Sequence, residues 1–302
     1  MSSLEALIKM MSRTCLIFLF LNSATSFAQQ DTRTTVLVGG SKEAIYDATV
    51  IDTEIVFTVL FNKVLEDTNE KFKIKIFDTD DELAEMVKEG KVDAIFSNIL
   101  KINLLRKYLN FNATYAVQIG PVLRSRYYLL VQKDSGITSV QQLRNKKINI
   151  PNGHAAGELF LDVLLLQQNL PVKETFFAQI KHSKESNSAV VNLFFNKADA
   201  ALVTDFTFDM AKELNPQVGK KLEILSSSDP MVNIVVAYHK DFPQSRIDDF
   251  EPNIWNMHKR PEVLQIMERF RYQGLKRLSE RDIKKIQLMS EEYLKLTTNN
   301  KQ

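Results

Sequence analysis

The chain is nearly without cysteine, because Cys15 is the single one among 302 residues. Cys15 stands at the front of an apolar run, whereas a bacterial lipoprotein carries its lipidated cysteine just after such a run, so lipidation is not expected. The rest of the chain has no thiol, which excludes disulfides and a cysteine nucleophile there. Small eukaryotic secreted domains usually depend on disulfides. For an exported protein, this composition favours the bacterial periplasm and a core large enough to be stable unaided.

The chain also lacks an apolar run of the ~20 residues that a membrane-spanning helix needs. Lys9 and Arg13 precede the short apolar run at residues 15–21. After the run, Ser26 and Ala28 are the small residues that signal peptidase recognises. This pattern predicts a signal peptide over residues 1–28, cleaved after Ala28, rather than a membrane anchor. Met11 is an alternative start that would make the signal more compact. We expect a mature protein that diffuses freely in the periplasm as a monomer.

No strong excess of charge is present, since 39 basic and 37 acidic residues leave a net charge of +2. No basic stripe with interleaved aromatics occurs, so a nucleic-acid partner is not expected. The motifs G-x-S-x-G and S-x-x-K and the P-loop are missing, and the four histidines are too scattered for a zinc site. We therefore expect no cofactor, no metal and no catalytic residues. A periplasmic enzyme of unknown type stays open as an alternative.

What the sequence does contain is a regular alternation of strand and helix patterns, which is typical of an α/β fold. Predicted strands cover residues 35–40, 71–77, 92–96, 147–150, 175–180, 198–203 and 222–225. Predicted helices cover residues 51–65, 155–168 and 188–196. Another short helix is predicted to begin with the capping box Thr79-Asp80-Asp81-Glu82. The segment from Arg246 onward is predicted to be helical.

Two further strands resemble each other and differ from the rest. Tyr127–Gln132 is followed by Lys-Asp, and so is the segment at residues 233–239. We interpret them as paired crossover strands between two lobes. Lobe I then comprises residues 29–132 plus 233–302, and lobe II is a continuous insert of residues 133–232.

Candidate binding residues follow from this strand map, because ligands of open α/β sheets lie beyond the carboxyl ends of the strands. The segment at residues 152–157 is the strongest anion site, since small residues at a helix start leave backbone N–H groups free. Its alternative interpretation is an ordinary strand–helix turn. The full predicted set is Ser41, Tyr46, Ser97, Asn98, Asn152, Gly153, His154, Ala155, Ser186, Asn187 and Asp205.

Three segments resemble the phosphate/phosphite/phosphonate-binding family of periplasmic substrate-binding proteins. They are E-G-K-V-D-A at residues 89–94, Y-L-L-V-Q-K-D-S-G-I at residues 128–137 and N-K-A-D-A-A at residues 196–201. The resemblance implies a type II periplasmic-binding fold, in which two lobes, each a mixed sheet flanked by helices, close around a small anionic ligand. It also implies delivery of the ligand to the membrane permease of an ATP-driven importer.

The chain departs from this family where the ligand is gripped. The family's helix start in the insert lobe is rich in Ser and Thr, but residues 153–157 here read G-H-A-A-G. The family's Ser-His-Asp at the next helix corresponds to Glu185-Ser186-Asn187. By this comparison, the backbone N–H groups that would bind an anion are kept, whereas the side chains that would contact it are different. A role as a sensor for a membrane signalling protein stays open beside transport.

Overall fold

The computed structural model describes residues 33–45, 50–119, 123–269 and 272–299. The predicted signal peptide and Tyr46 lie outside these ranges. Within the described residues, no helix has both the length and the apolar character needed to cross a membrane.

The chain folds into two mixed sheets flanked by helices. The first part of the chain forms β1 (Thr34–Ser41), α1 (Val50–Val64), β2 (Glu70–Phe77), α2 (Asp80–Lys88), β3 (Ala94–Asn98), α3 (Ile99–Leu104) and β4 (Leu109–Ile119). The middle forms β5 (Tyr127–Gln132), β6 (Lys147–Pro151), α4 (Ala155–Leu166), α5 (Lys173–Phe176), β7 (Gln179–Ser183), α6 (Ser186–Phe194), β8 (Ala200–Thr204), α7 (Asp205–Leu214), α8 (Pro216–Lys221) and β9 (Leu222–Ser227). The last part forms β10 (Ile234–His239), α9 (Gln244–Trp255), α10 (Pro261–Arg269), β11 (Tyr272–Arg277) and α11 (Glu280–Asn299).

The first sheet has six strands in the order β11-β4-β10-β3-β1-β2, and the second has five in the order β7-β6-β8-β5-β9. In the first sheet β1 is parallel to β2 and β3, while β10 is antiparallel to β3 and β4. In the second sheet β6 is parallel to β7 and β8, while β5 is antiparallel to β8 and β9. The predicted α/β class with two mixed sheets is confirmed.

Local patterns explain several of these elements. In β2 the alternation predicted from the sequence is observed, because Phe72 and Ile74 are buried while Lys73 and Lys75 are exposed. The N-cap of α2 is also confirmed, since the Thr79 hydroxyl accepts a hydrogen bond from the Glu82 N–H at 3.1 Å. The reciprocal half of the predicted capping box is not formed, because the Glu82 carboxylate accepts from the N–H of Asp78 rather than from that of Thr79.

The structure differs from the sequence predictions at four places. The helix α5 occupies the start of the strand predicted at residues 175–180, because the Lys173 ammonium and N–H both bind Asp162 of α4 and hold that turn. The helical tail is interrupted by β11, whose Tyr272 and Leu275 are buried in the first sheet's core. The strand β4 was not predicted. Finally, β5 pairs with β8 and β9 and so belongs to the second sheet, whereas the predicted boundary after residue 132 placed this strand in lobe I.

The two crossovers therefore lie just before β5 and just before β10. Ser125 and Met231 exchange two backbone hydrogen bonds of 2.9 Å, which pairs the crossovers side by side. The N–H of Tyr127 donates to the Ser228 hydroxyl at 2.9 Å. Both sheets remain parts of one compact unit, Thr34–Gln302.

The C-terminal helix α11 braces both crossovers. Arg124 donates two hydrogen bonds to the Asp282 carboxylate, at 2.6 and 2.7 Å. Lys285 binds the Asp229 carboxylate at 2.9 Å in the other crossover. Further along, Glu292 accepts a hydrogen bond from Gln167 at 2.7 Å, which ties α11 to the end of α4 beside the second sheet.

We expect Asp282→Asn to lower the free energy of unfolding by about 1–2 kcal/mol near neutral pH, because hydrogen bonds to charged groups are lost. Burial acts to raise the pKa of Asp282, but hydrogen bonds from Arg124 and Ser279 outweigh it and lower that pKa. A lowered folded-state pKa gives stability above the unfolded value of about 3.9, lost as pH falls through the folded value. Urea unfolding at decreasing pH measures this. A variant with the same acid dependence as the original chain would contradict the assignment.

Candidate functional site at the carboxyl ends of the strands

The predicted residues of the first sheet lie together where β1 and β3 end. Gly39 is paired with Ile95, so Ser41 and Ser97 occupy equivalent positions two residues further along. The Ser41 hydroxyl donates to the Asp80 carboxylate. Asn98 caps α3 by accepting the Lys101 N–H at 3.0 Å. The Ser97 hydroxyl is fully buried and finds no hydrogen-bond partner among the described residues, which is costly unless something else satisfies it.

The predicted residues of the second sheet lie at the starts of α4 and α6. The Asn152 N–H donates to the Ser183 carbonyl at 2.9 Å, and Gly153 has a φ of +78°, a conformation that favours glycine. The His154 side chain is buried, with Nε2 lying 3.3 Å from the Ser186 hydroxyl oxygen. This contact joins the two helix N-termini. Ala155 is half-buried and Asn187 is exposed.

Tyr127 connects the two sets of strand ends. Its ring lies edge-on to His154, with the ring centroids 5.7 Å apart. Its hydroxyl donates to Asn233 Oδ1 at 2.8 Å, and the Asn233 carbonyl accepts the Ile99 N–H at 3.2 Å. A Cβ atom at Gly157 would lie 2.4 Å from the Tyr127 ring, so only glycine fits there.

Asp205 begins α7 beside the first crossover. Its N–H donates to the Arg126 carbonyl at 2.9 Å, and its carboxylate accepts the Phe206 N–H at 2.8 Å. Thr204, not Asp205, is the N-cap, because its hydroxyl accepts the Thr207 N–H. The Asp205 carboxylate is therefore held at the strand end without capping the helix.

Sequence reasoning missed three residues that the structure brings to this region, namely Arg126, Ser228 and Asn233. The guanidinium of Arg126 donates to the Ser228 carbonyl at 2.9 Å, across the two crossovers. The sequence signal for them is that charged and polar residues stand immediately before β5 and β10. The sequence prediction puts the first crossover after β5, so these residues are not among its candidates.

Other features of the described residues lie elsewhere or are absent. No group of three or more His, Cys, Asp or Glu side chains in the described ranges could hold a metal ion. An open depression of about 230 Å³ is lined by Gln132, Asp134, Ser135, Ile137, Asn196, Ala198 and Asp199. It lies between the carboxyl end of β5 and the amino end of β8, at the edge of the sheet opposite the predicted site.

Two mixed α/β sheets, joined by paired crossovers and presenting polar strand ends to each other, define the class of type II periplasmic-binding proteins. Solved structures with this fold include the following three. XAC2383 from Xanthomonas citri bound to ATP has a TM-score of 0.67 at 12% identity and covers 87% of this chain and 98% of its own. PhnD1 from Prochlorococcus marinus in complex with methylphosphonate has a TM-score of 0.63 at 16% identity and covers 85% and 97%. The phosphonate-transporter binding protein PA3383 from Pseudomonas aeruginosa has a TM-score of 0.64 at 10% identity and covers 89% of each chain.

A match in sequence identifies the family within this fold class. Residues 52–283 match the model of the phosphonate-binding family, described as the periplasmic substrate-binding protein of an ABC transporter. The chain belongs to this family, which confirms the resemblance drawn from its sequence. No curated protein matches the chain in sequence.

Proposed function

We propose that the chain captures a phosphonate- or phosphate-like anion between the carboxyl ends of its two sheets and delivers it to an importer's membrane permease. The single observation that carries this proposal is the linkage through Tyr127. It joins Asn233 and the start of α3 on one side to His154 and the starts of α4 and α6 on the other. Five of the predicted residues adjoin this linkage, namely Ser97, Asn98, Gly153, His154 and Ser186.

The physical basis is the group of helix N-termini at the strand ends. Backbone N–H groups at the starts of α4 and α6 favour negative charge, and the contact between His154 and Ser186 fixes the two starts relative to each other. The buried Ser97 hydroxyl supplies a further hydrogen-bonding group from the first sheet. A ligand touching both sheets would select a closed arrangement, because only that arrangement makes both sets of contacts.

Binding is tested by calorimetry and thermal unfolding with methylphosphonate, phosphite, phosphate and sulfate. We expect at least one phosphorus oxyanion to raise the free energy of unfolding by about 2.7 kcal/mol at 100-fold excess over Kd. Protein recovered from the periplasm serves for the test, and its intact mass gives the cleavage site, proposed after Ala28. If none of these anions shifts the unfolding transition, the proposed function is wrong.

A matched pair of serines refines the test. Ser186→Ala removes the hydroxyl that contacts His154, whereas Ser188→Ala removes a half-buried hydroxyl from the same helix turn. We expect the first variant to weaken binding ~10-fold and the second to leave it nearly unchanged, since one hydrogen bond contributes about 1–1.5 kcal/mol. Equal effects would place the ligand away from the starts of α4 and α6.

A further inference from the structure

An anion site needs a source of positive charge, and the cations near the strand ends are mostly already paired. The Lys42 ammonium lies 2.5 Å from the Asp78 carboxylate. The Lys101 ammonium lies 3.7 Å from both Asp80 and Asp81. His154 is enclosed between the Tyr127 ring and the Ser186 hydroxyl. None of these groups is available to a ligand without giving up its present contact.

Arg126 differs from Arg246 and Arg260, which are also half-buried. Arg246 binds the Glu70 carboxylate through two nitrogens, and Arg260 binds Glu66 and Asp67. In the described part of the chain, no carboxylate lies within ion-pair distance of Arg126, whose guanidinium donates one hydrogen bond, to the Ser228 carbonyl. Of the neighbouring acids, Asp229 is bound by Lys285, and the Asp205 carboxylate accepts the Phe206 N–H. A half-buried guanidinium without a carboxylate is costly unless an anion completes it.

The position of Arg126 fits this role. It lies in the first crossover, its carbonyl accepts the Asp205 N–H at the start of α7, and its guanidinium reaches the second crossover. An anion bound there would contact both connections between the sheets. A guanidinium presents a planar pair of N–H groups that matches two oxygens of a phosphonate or phosphate group.

We propose that Arg126 is the ligand's counter-ion, binding one face of the phosphorus oxyanion at the crossovers. This rests on the proposed function. Residues 153–157 carry no hydroxyl side chain, and charge-assisted hydrogen bonds from an arginine are about twice as strong as neutral ones.

The test measures Kd for methylphosphonate and phosphate with Arg126→Gln, Arg126→Lys and Arg281→Gln. Arg281 is exposed on α11, and its charge, like that of Arg126, acts on Asp229, so it is a control for the general field. We expect Arg126→Gln to raise Kd ~30-fold or more and Arg126→Lys to give a smaller rise. Arg281→Gln should stay within ~3-fold of the original chain.

The salt dependence of binding distinguishes a direct contact between Arg126 and the anion from a merely structural role of Arg126. Affinity of the original chain should fall as salt is added, and this dependence should weaken in Arg126→Gln but not in Arg281→Gln. If Arg126→Gln does not fold, a folded Arg126→Lys with unchanged Kd would overturn the proposal. Equal losses in Arg126→Gln and Arg281→Gln would also overturn it. If the original chain binds none of the anions, the proposed function fails instead.

Discussion

Replacing Lys173 with methionine is expected to lower the free energy of unfolding by about 3–5 kcal/mol, the usual cost of leaving a buried charge without its partner. The Lys173 ammonium lies 2.9 Å from the Asp162 carboxylate, 2.8 Å from Glu174 and 3.5 Å from Glu158. Asp162 is 5% exposed, so water cannot take over the role of the ammonium. Methionine fills the space but supplies no charge, and three carboxylates would then face one another.

The loss should depend on pH in a defined direction. Burial raises the pKa of Asp162 above its ordinary value, and the hydrogen bonds from Lys173 oppose that rise. Without the ammonium the pKa of Asp162 rises further, so the ionised carboxylate is harder to accommodate. The destabilisation is therefore largest at neutral pH and shrinks as pH falls through the raised folded-state pKa of Asp162. It is smallest near the unfolded-state value of about 3.9 and below, where Asp162 is protonated in both states. Urea unfolding from neutral to acidic pH measures this.

Two further variants act as controls. Asp162→Asn combined with Lys173→Met removes both charges but keeps an oxygen to accept the N–H of residue 173, which donates to Asp162 at 2.8 Å. We expect this double variant to recover most of the lost stability. Lys88→Met breaks an exposed pair with Glu85 and should leave stability nearly unchanged, because solvent screens such a pair. If the double variant is no more stable than Lys173→Met, an unpaired carboxylate is not the cause.

The second large effect is expected from a single methyl group at position 157. In Gly157→Ala the new Cβ would lie 2.4 Å from Cδ1 and 2.6 Å from Cε1 of Tyr127. The ring cannot move aside freely, because it is buried and its hydroxyl binds Asn233. We expect a loss of about 1–3 kcal/mol in stability from overpacking, together with a loss of anion binding as the linkage between the sheets breaks. Urea unfolding and calorimetry measure the two effects.

Gly219→Ala provides the matched control. Its Cβ would meet only the flexible side chain of Lys212, at 3.2 Å. Gly219 lies in α8, which leads into the end of β9 that is opposite the crossovers. Alanine favours a helix by up to about 1 kcal/mol over glycine, so stability should be unchanged or slightly higher. Should Gly157→Ala behave like Gly219→Ala in both measurements, Tyr127 would not be positioned by close contact with α4.

Much of the candidate site follows from local sequence, because strand ends and helix starts have recognisable patterns. Ser97, Asn98, Gly153, His154 and Ser186 lie at strand ends or helix starts, as their local sequence predicts. That they bind a ligand stays a prediction. The sequence did not predict which distant strands pair with each other. Nothing local distinguishes a strand of the first sheet from one of the second, so β5 was assigned to the wrong side of the crossover. Arg126 was overlooked for the same reason.

By itself the sequence determined the α/β class, the order of most elements and the family, because periodicity, caps and short motifs are encoded in neighbouring residues. Its near-lack of cysteine also excluded thiol and disulfide chemistry beyond Cys15. Only the tertiary structure decided which strands share a sheet, where the crossovers lie and which charges are paired. Those properties depend on contacts between residues far apart in the chain, such as Tyr127 with Asn233 and Arg124 with Asp282. Arg126 belongs to this second group, because only the structure shows that its guanidinium donates to the Ser228 carbonyl and not to a carboxylate.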